Sequence, residues 1–537
     1  MTTPGDMAKM VEDRSKELVP ETEKPELEDR FVKDCLDANE RGDGVMFSSL
    51  YKDSFVYNIT PKDGEWFFWN GTVWEHDHKA LSVSAAVEEC ALEYQRMIGP
   101  LQKDVEEQEI DKKHPDSWKL SLMKKYQSRV ERLRGRDGVS KVLHWAPIVD
   151  RSLSCKEEQF DRNPWLLPCK NGVIDLQKGT LTKGRPADLM TKCLDIDYDP
   201  HADYSLWVQV LQEITDSEQE MPDFLKRSFG YATTGHAFEQ YIWVYLGPGR
   251  NGKGILFNLI GEVLRPFFHT INPSMLLEQR NPPSPSAASE HIYSLLNKRL
   301  VAGSETNKGK KIDGSIVKEL TGEDELNCRP NFKSEINFYP THTVMLRTQY
   351  VPLGMTQDFA LRERLLLIDF PFRYVDDVEA HKRKEPQFAD KFRQKDKHLK
   401  DKLREIKPGI LRWIVEGCLE WQKIGLAPPK QVIEAVDKLS NDEDYVGRFI
   451  ADCLVRFPDK AEIKVSCKDM FAVFEWWWQE NEGAHEQRMP AMKTVNKSLR
   501  EHGFVVEGKG GVTYVFGCSI SIDVQELIYK SKKDAWK

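Results

Sequence analysis

Apolar positions along the chain follow two rhythms, and the switch between them is sharpest from Tyr241 to Val263. Tyr241 to Leu246 is a continuous apolar run, as expected of a strand buried on both faces. After a glycine-rich turn, Ile255, Leu256, Leu259, Ile260 and Val263 recur at helical spacing. Apolar runs at Arg299 to Gly303, Thr343 to Arg347 and Leu365 to Phe370 predict further strands. A helical stretch from Pro200 to about Phe229 leads in, and the alternation up to Tyr374 predicts an α/β domain.

Upstream, Trp66 to Trp74 predicts two aromatic strands joined at Asn70-Gly71, with the rings packing between strands rather than stacking bases. Helices are expected at Leu81 to Met97 and Trp118 to Leu133, and a turn and strand at Asn163 to Leu176. Residues up to about Arg41 are charged and poor in aromatics, which predicts a mobile acidic arm with one short helix near Leu27 to Ala38. Val375 to Lys407 reads as a solvated helical connector, or as a flexible insertion over Asp377 to Asp401. Past Tyr445, helices at Val446 to Arg456, Cys467 to Asn481 and Pro490 to His502 precede a hairpin at Phe504 to Phe516, turning at Gly508 to Gly511. That is the element order of a winged helix. Lys493, Asn496, Lys497 and Arg500 share one face of its third helix. Such a face contacts a DNA duplex in one reading and is an ordinary solvated basic face in the other.

Composition narrows the class without naming a function. The 537 residues are 40% hydrophobic and 30% charged, as in a globular protein of several domains. No apolar run reaches the length of a membrane span, and the polar start carries no secretory segment. Ten scattered cysteines without a Cys-x-x-Cys pair suit reduced thiols and a cytoplasmic setting rather than a zinc site. The net charge of −9 disfavours a protein coated by nucleic acid but leaves room for a basic channel.

The candidate chemistry lies in the glycine-rich turn. Gly247-Pro248-Gly249-Arg250-Asn251-Gly252-Lys253 between strand and helix has the form of a phosphate-binding loop. Its amides and the helix N-terminus suit a phosphate, and Lys253 adds a full positive charge. Gly254 stands where that motif places a Ser or Thr hydroxyl for Mg²⁺. Glu305 ends the next candidate strand and would polarise an attacking water if the two strands are neighbours in a parallel sheet.

The order of these segments resembles the superfamily 3 helicases of phages, plasmids and large DNA viruses, the poxvirus-type primase–helicase family. Gly247 to Lys253 matches its first motif and Arg299 to Thr306 its second. Lys318 to Asp324, with Arg329, Phe332 and Lys333, is similar to the hairpin motif. Thr348 to Pro352 sits at the sensor and Leu361 to Phe370 at the arginine finger; Asn171 to Leu176 and Gly409 to Trp413 also fit. The resemblance implies an α/β fold: a P-loop AAA+-like core at 206–375, an α+β domain at 46–205, a charged helical connector at 376–440 and a winged-helix-like domain at 441–522. An arm (1–45) and a tail (523–537) would flank them.

It further implies an ATP-dependent, ring-forming DNA helicase, usually a hexamer, on single-stranded or forked DNA in a bacterial host cell or at a viral replication site. Lys253 would bind the β/γ-phosphates, Glu305 activate water, and Gln349 act as sensor. Arg364, with Arg362 as second candidate, would enter a neighbour's ATP site. Lys318, Arg329 and Lys333 would face the DNA. Three departures stand out: Gly254 lacks the metal-binding hydroxyl, for which Ser304 is the candidate substitute; Gln349 replaces Asn; Glu363 replaces an arginine. With only a short arm before Met46, primase activity is expected from another chain. The competing expectations are a hydrolysis-impaired replication scaffold or loader and, fitting less well, a small-molecule P-loop kinase.

Overall fold

Helices begin well before the expected globular boundary. The computed structural model of the chain describes residues 24–150, 153–279, 289–305, 308–331, 335–458, 460, 462–481 and 489–527. Asp29–Asp37 buries Val32, Cys35 and Leu36 on one stripe, and Asn39–Tyr51 follows it into the same core. The arm expected over 1–45 therefore ends by residue 28 at the latest; its first 23 residues lie outside the described ones.

The chain forms two compact units. The first comprises residues up to 204 together with 261–267 and 405–423. Its helices Leu81–Arg96 and Ser117–Leu133 match expectation, while Ile98–Glu107 and Arg136–Val149 are additional. Glu65–Trp69 and Trp74–His76 pair antiparallel, with Trp69 opposite Trp74. The Asn70 side-chain oxygen closes the turn by accepting from the amides of Thr72 and Val73, each at 2.9 Å. Trp66, Trp69 and Trp74 are buried, so these rings pack rather than present a stacking platform. The expected single strand near 163–176 is a hairpin, Leu166–Cys169 with Gly172–Asp175, extended by Thr180–Thr182.

The helix Lys407–Ile424 corrects the expectation of a solvated connector throughout 376–440. It buries Ile410, Leu411, Trp413, Ile414, Val415 and Cys418. Its Gln422 donates to the Leu176 carbonyl at 2.8 Å, and its Glu416 accepts from Tyr204 Oη at 2.6 Å.

Asp43 is the charged centre of this unit. Almost fully buried, it accepts from Arg129 Nη1 and Arg132 Nη2, both at 2.6 Å, and from Tyr94 Oη at 2.9 Å. Those three partners come from two other helices. Asp43→Ala would leave guanidinium groups facing each other without a counter-charge, and should cost about 3 kcal/mol of stability. Chemical denaturation checks this; an unchanged midpoint would contradict the role.

The second unit comprises 205–260, 268–404 and 424–537. Its centre is a five-stranded parallel sheet in the order Leu365–Asp369, Ile242–Leu246, Thr343–Thr348, Leu300–Ser304, Phe268–Ile271. The last of these strands, short and half polar, had no sequence signal. The strand ending near Glu305 is not the neighbour of the Ile242–Leu246 strand, as expected, but lies one strand away with Thr343–Thr348 between them. One face of the sheet, with Ile242, Val244, Val301, Val344, Leu346, Leu365 and Leu367, forms a core that takes in Val436 of the helix Lys430–Glu443. Within the segment read as connector, Phe392–Gln394 forms a parallel ladder with Arg373–Val375, and Phe392 is buried.

Toward the C-terminus, helices Tyr445–Cys453, Cys467–Asn481 and Met492–Glu501 surround Phe449, Phe474, Trp477 and Trp478. The hairpin Val505–Lys509 and Val512–Phe516 turns at Gly510 and Gly511, both in the left-handed region. The strand Lys464–Ser466 pairs with it, and Leu454–Arg456 pairs with Cys518–Ile520. Residues 522–527 are helical and bury Val524, so the expected tail at 523 starts inside this core. Among the described residues no helix is long and apolar enough to cross a membrane.

Candidate functional site

The loop after Ile242–Leu246 leaves the sheet at the C-terminal edge of its strands, where parallel sheets place their ligands. Gly252 has φ +94, and a Cβ there would stand 2.7 Å from Ile214 Cγ2; only glycine fits. Asn251 is 3% exposed and spans the loop, donating to the Phe370 carbonyl at 3.3 Å while its Oδ1 accepts from the Lys253 amide at 3.4 Å. The helix Lys253–Val263 starts directly behind, so its free amides point into the loop.

Lys253 is 7% exposed and its Nζ donates to the Gly247 carbonyl at 2.6 Å. Burial pulls its pKa down to about 8, against the opposing pull of Asp369 and Glu305. A lysine whose charged form is disfavoured by burial, held beside a ring of amides, is an arrangement that gains from an anion.

The loop opens into a cavity of about 590 Å³, within the roughly 300–1,000 Å³ range of small-molecule sites. Its lining includes Gly249, Arg250, Lys253, Gly254, Ser304, Glu305, Arg347 and Gln349. Trp207, Val210, Ile214, Tyr374 and Leu399 also line it, with the charged Glu213, Asp376, Lys395 and Asp396. Pro248 is exposed beside the loop, and Tyr374 fixes it by donating its amide to the Arg250 carbonyl at 2.8 Å.

Glu305 adopts a left-handed conformation, φ 48, and its amide donates to the Arg347 carbonyl at 2.7 Å. This strained backbone turns the residue out of the strand and toward the cavity. Gln349 Nε2 donates to Glu305 Oε1 at 3.4 Å. Glu305, Gln349, Ser304 and the loop residues are thus brought together as expected. Gly254 faces open space, with nothing within 4 Å of a Cβ built on it.

Other expected residues stand apart. Arg364 precedes Leu365, which is in register with Ile242, so it sits at the opposite edge of the sheet, roughly 16 Å from the loop end. Its Nη1 donates to the Gln240 carbonyl at 3.2 Å. Arg362 is paired with Asp437 at 2.8 Å. Lys318 belongs to the helix Gly314–Thr321 rather than to a hairpin, and pairs with Asp358 at 3.0 Å. Arg329 is exposed just beyond Leu326–Cys328, which pairs antiparallel with Ile336–Phe338; Lys333 lies outside the described residues. On Met492–Glu501, Lys493 and Lys497 are exposed, Lys497 lies 3.5 Å from Glu501, and Arg500 donates to the Val506 carbonyl at 3.2 Å.

Residues 44–216 match a family described as D5 N terminal like. Over 462 residues the chain is 23% identical to a helicase-named protein, L207/L206, of Acanthamoeba polyphaga mimivirus, covering 84% of this chain and 47% of that protein. It is 21% identical over 486 residues to a helicase-named protein, 121R, of Invertebrate iridescent virus 3, covering 81% and 49%. These matches support a D5-type primase–helicase family. The chain spans about half the length of these two relatives. A solved apo structure of the NrS-1 C-terminal region superimposes with a TM-score of 0.34 at 11% identity, covering 60% of this chain and 78% of that one.

Several cavity residues carried no signal as site residues. Trp207 fell in an expected helical stretch, Arg347 ended an expected strand and Tyr374 lay at the end of the α/β alternation, and only the fold brings them to one cavity. A charged residue ending the apolar run Thr343 to Arg347 was the one available cue, for Arg347.

Proposed function

We propose that this chain is an ATP-driven replication helicase motor that works as a ring on single-stranded DNA. The observation that carries the reading is the convergence, in one cavity, of the glycine loop, buried Lys253, Glu305 and Gln349. A triphosphate would place its phosphates on the loop and its base toward the part of the cavity lined by Tyr374 and Leu399. Lys253 would hold the β- and γ-phosphates, and Glu305, oriented by Gln349, would accept the proton of the attacking water. Arg364, at the far edge of its own sheet, would serve the site of a neighbouring copy, and the reading therefore includes a ring. The region before and after Arg329, and the exposed Lys493 and Lys497 of a winged-helix-like module, would track DNA phosphates without reading sequence.

Mg²⁺ bound with a nucleotide needs only one or two protein oxygens, because phosphates and water supply the rest. Ser304 and Glu305 line the cavity and meet that need. The cation would neutralise charge developing on the phosphates.

Gly254 supports a second reading, a nucleotide- and DNA-binding scaffold with impaired hydrolysis. Single-stranded-DNA-stimulated ATP hydrolysis separates the two. Wild-type turnover well above that of Lys253→Met is expected of the motor; equality of the two would leave the scaffold. The open space around Gly254 admits a hydroxyl without a clash, so Gly254→Ser should raise turnover about tenfold by adding one metal ligand. No rise would show that the missing hydroxyl does not limit the site.

A further inference from the structure

Arg347 is a charged residue of the sheet that the reading above leaves without a task. It lies near the C-terminal end of Thr343–Thr348, in register with Tyr245 on one side and Ser304 on the other. Its strand neighbours of alternate parity, Val344 and Leu346, belong to the core on the opposite face. Arg347 therefore shares the face covered by the helix behind the glycine loop, and its guanidinium carbon is 5.4 Å from the Phe257 ring of that helix. It lines the cavity with Lys253, Glu305 and Gln349. Among the described residues its side chain has no ion pair and no hydrogen bond. Burial lowers its pKa from the ordinary arginine value, with Glu305 pulling the other way.

A half-buried guanidinium with five unused donors is costly, and the cost is relieved by an anion arriving in the cavity. Lys253 and the loop amides occupy the inner end of that space. Arg347 stands beside Glu305, where a terminal phosphate and its attacking water would be. We propose that Arg347 is a cation supplied in cis to the terminal phosphate of a bound nucleoside triphosphate. The proposal rests on the nucleotide reading of the cavity. It gives the site a second fixed positive charge where Gly254 offers no metal-binding hydroxyl, and it is independent of any neighbour's arginine. It also makes the cavity sense the terminal phosphate: a triphosphate engages Arg347 and a diphosphate does not.

Displacement of a fluorescent ADP from the full-length chain, by ATP and separately by ADP, reads this directly. Arg347→Met should weaken ATP binding by tenfold or more and leave ADP within about twofold, because one charge-assisted contact to a phosphate is lost. Arg347→Lys, which keeps the charge but not the fork, should recover part of the preference. The empty Arg347→Met protein should melt no lower than wild type, since an unpaired cation has been removed. Unchanged ATP affinity, or equal loss of ATP and ADP, would overturn the proposal. Lys253→Met, in contrast, should lose both nucleotides. A wild-type chain that binds neither would overturn the nucleotide reading and Arg347's role with it, a result distinct from loss of the ATP preference alone.

Discussion

Lys253→Met should bind ATP about 10- to 100-fold more weakly than wild type, and its empty form should nevertheless be the more stable protein. The two effects have one origin. Lys253 is buried, and its pKa in the folded chain is about 8 against an ordinary 10.5. Below pH 8 the folded protein holds a charged, desolvated amine, at a cost of about 3 kcal/mol. Losing its hydrogen bond to the Gly247 carbonyl returns about 1 kcal/mol, so methionine should gain about 2 kcal/mol near neutrality. Between pH 8 and 10.5 the folded wild type sheds a proton that the unfolded chain keeps, so its stability rises with pH. Lys253→Met has no such rise, and its advantage should fade across that window. Urea melts at pH 7 to 10 read both slopes; parallel slopes would show that the amine is not strained. Bound phosphate would keep the lysine charged, so the same cost is recovered as affinity.

Arg364→Ala should lower turnover by about 1,000-fold and leave nucleotide affinity unchanged. The argument is positional: its backbone begins the strand at the edge of the sheet remote from the loop, beyond reach of its own cavity. Each competent site then needs Lys253 from one copy and Arg364 from the next. Mixing Arg364→Ala with Lys253→Met, both nearly inactive, should restore activity toward about a quarter of wild type, the share of interfaces that are intact by chance in a mixed ring. Steady-state hydrolysis over a range of mixing ratios tests it. If mixing restores nothing, or if Arg364→Ala alone keeps its turnover, the arginine does not act across an interface.

What could be read before the fold was known divides along a physical line. Gly247 to Lys253 was legible because strand, turn and helix are all local, and the left-handed Gly252 states its own geometry. Glu305 was legible as a strand end, though the strand between it and the loop was not, since parallel neighbours are set by long-range pairing. Arg347 was not, because the face of a buried strand is decided by what packs on it. The short helix expected near Leu27 to Ala38 is present as Asp29–Asp37, but residues 29–45 were assigned to an arm because their charged composition hides Asp43, whose partners Arg129 and Arg132 lie far along the chain. Lys407–Ile424 was merged with its charged surroundings for a similar reason: what covers it, around Leu176, comes from the other end of the chain.

That helix has a consequence for dissection of the molecule. The first unit is discontinuous, completed by 261–267, after one strand of the sheet, and by 405–423, after all five. A fragment cut after residue 204 would lose Ile410, Trp413 and Ile414 from its interior and leave the Leu176 carbonyl without Gln422. The matched segment 44–216 is thus a unit of descent and not a unit of expression. A workable excision would carry both returning stretches, joined by short linkers.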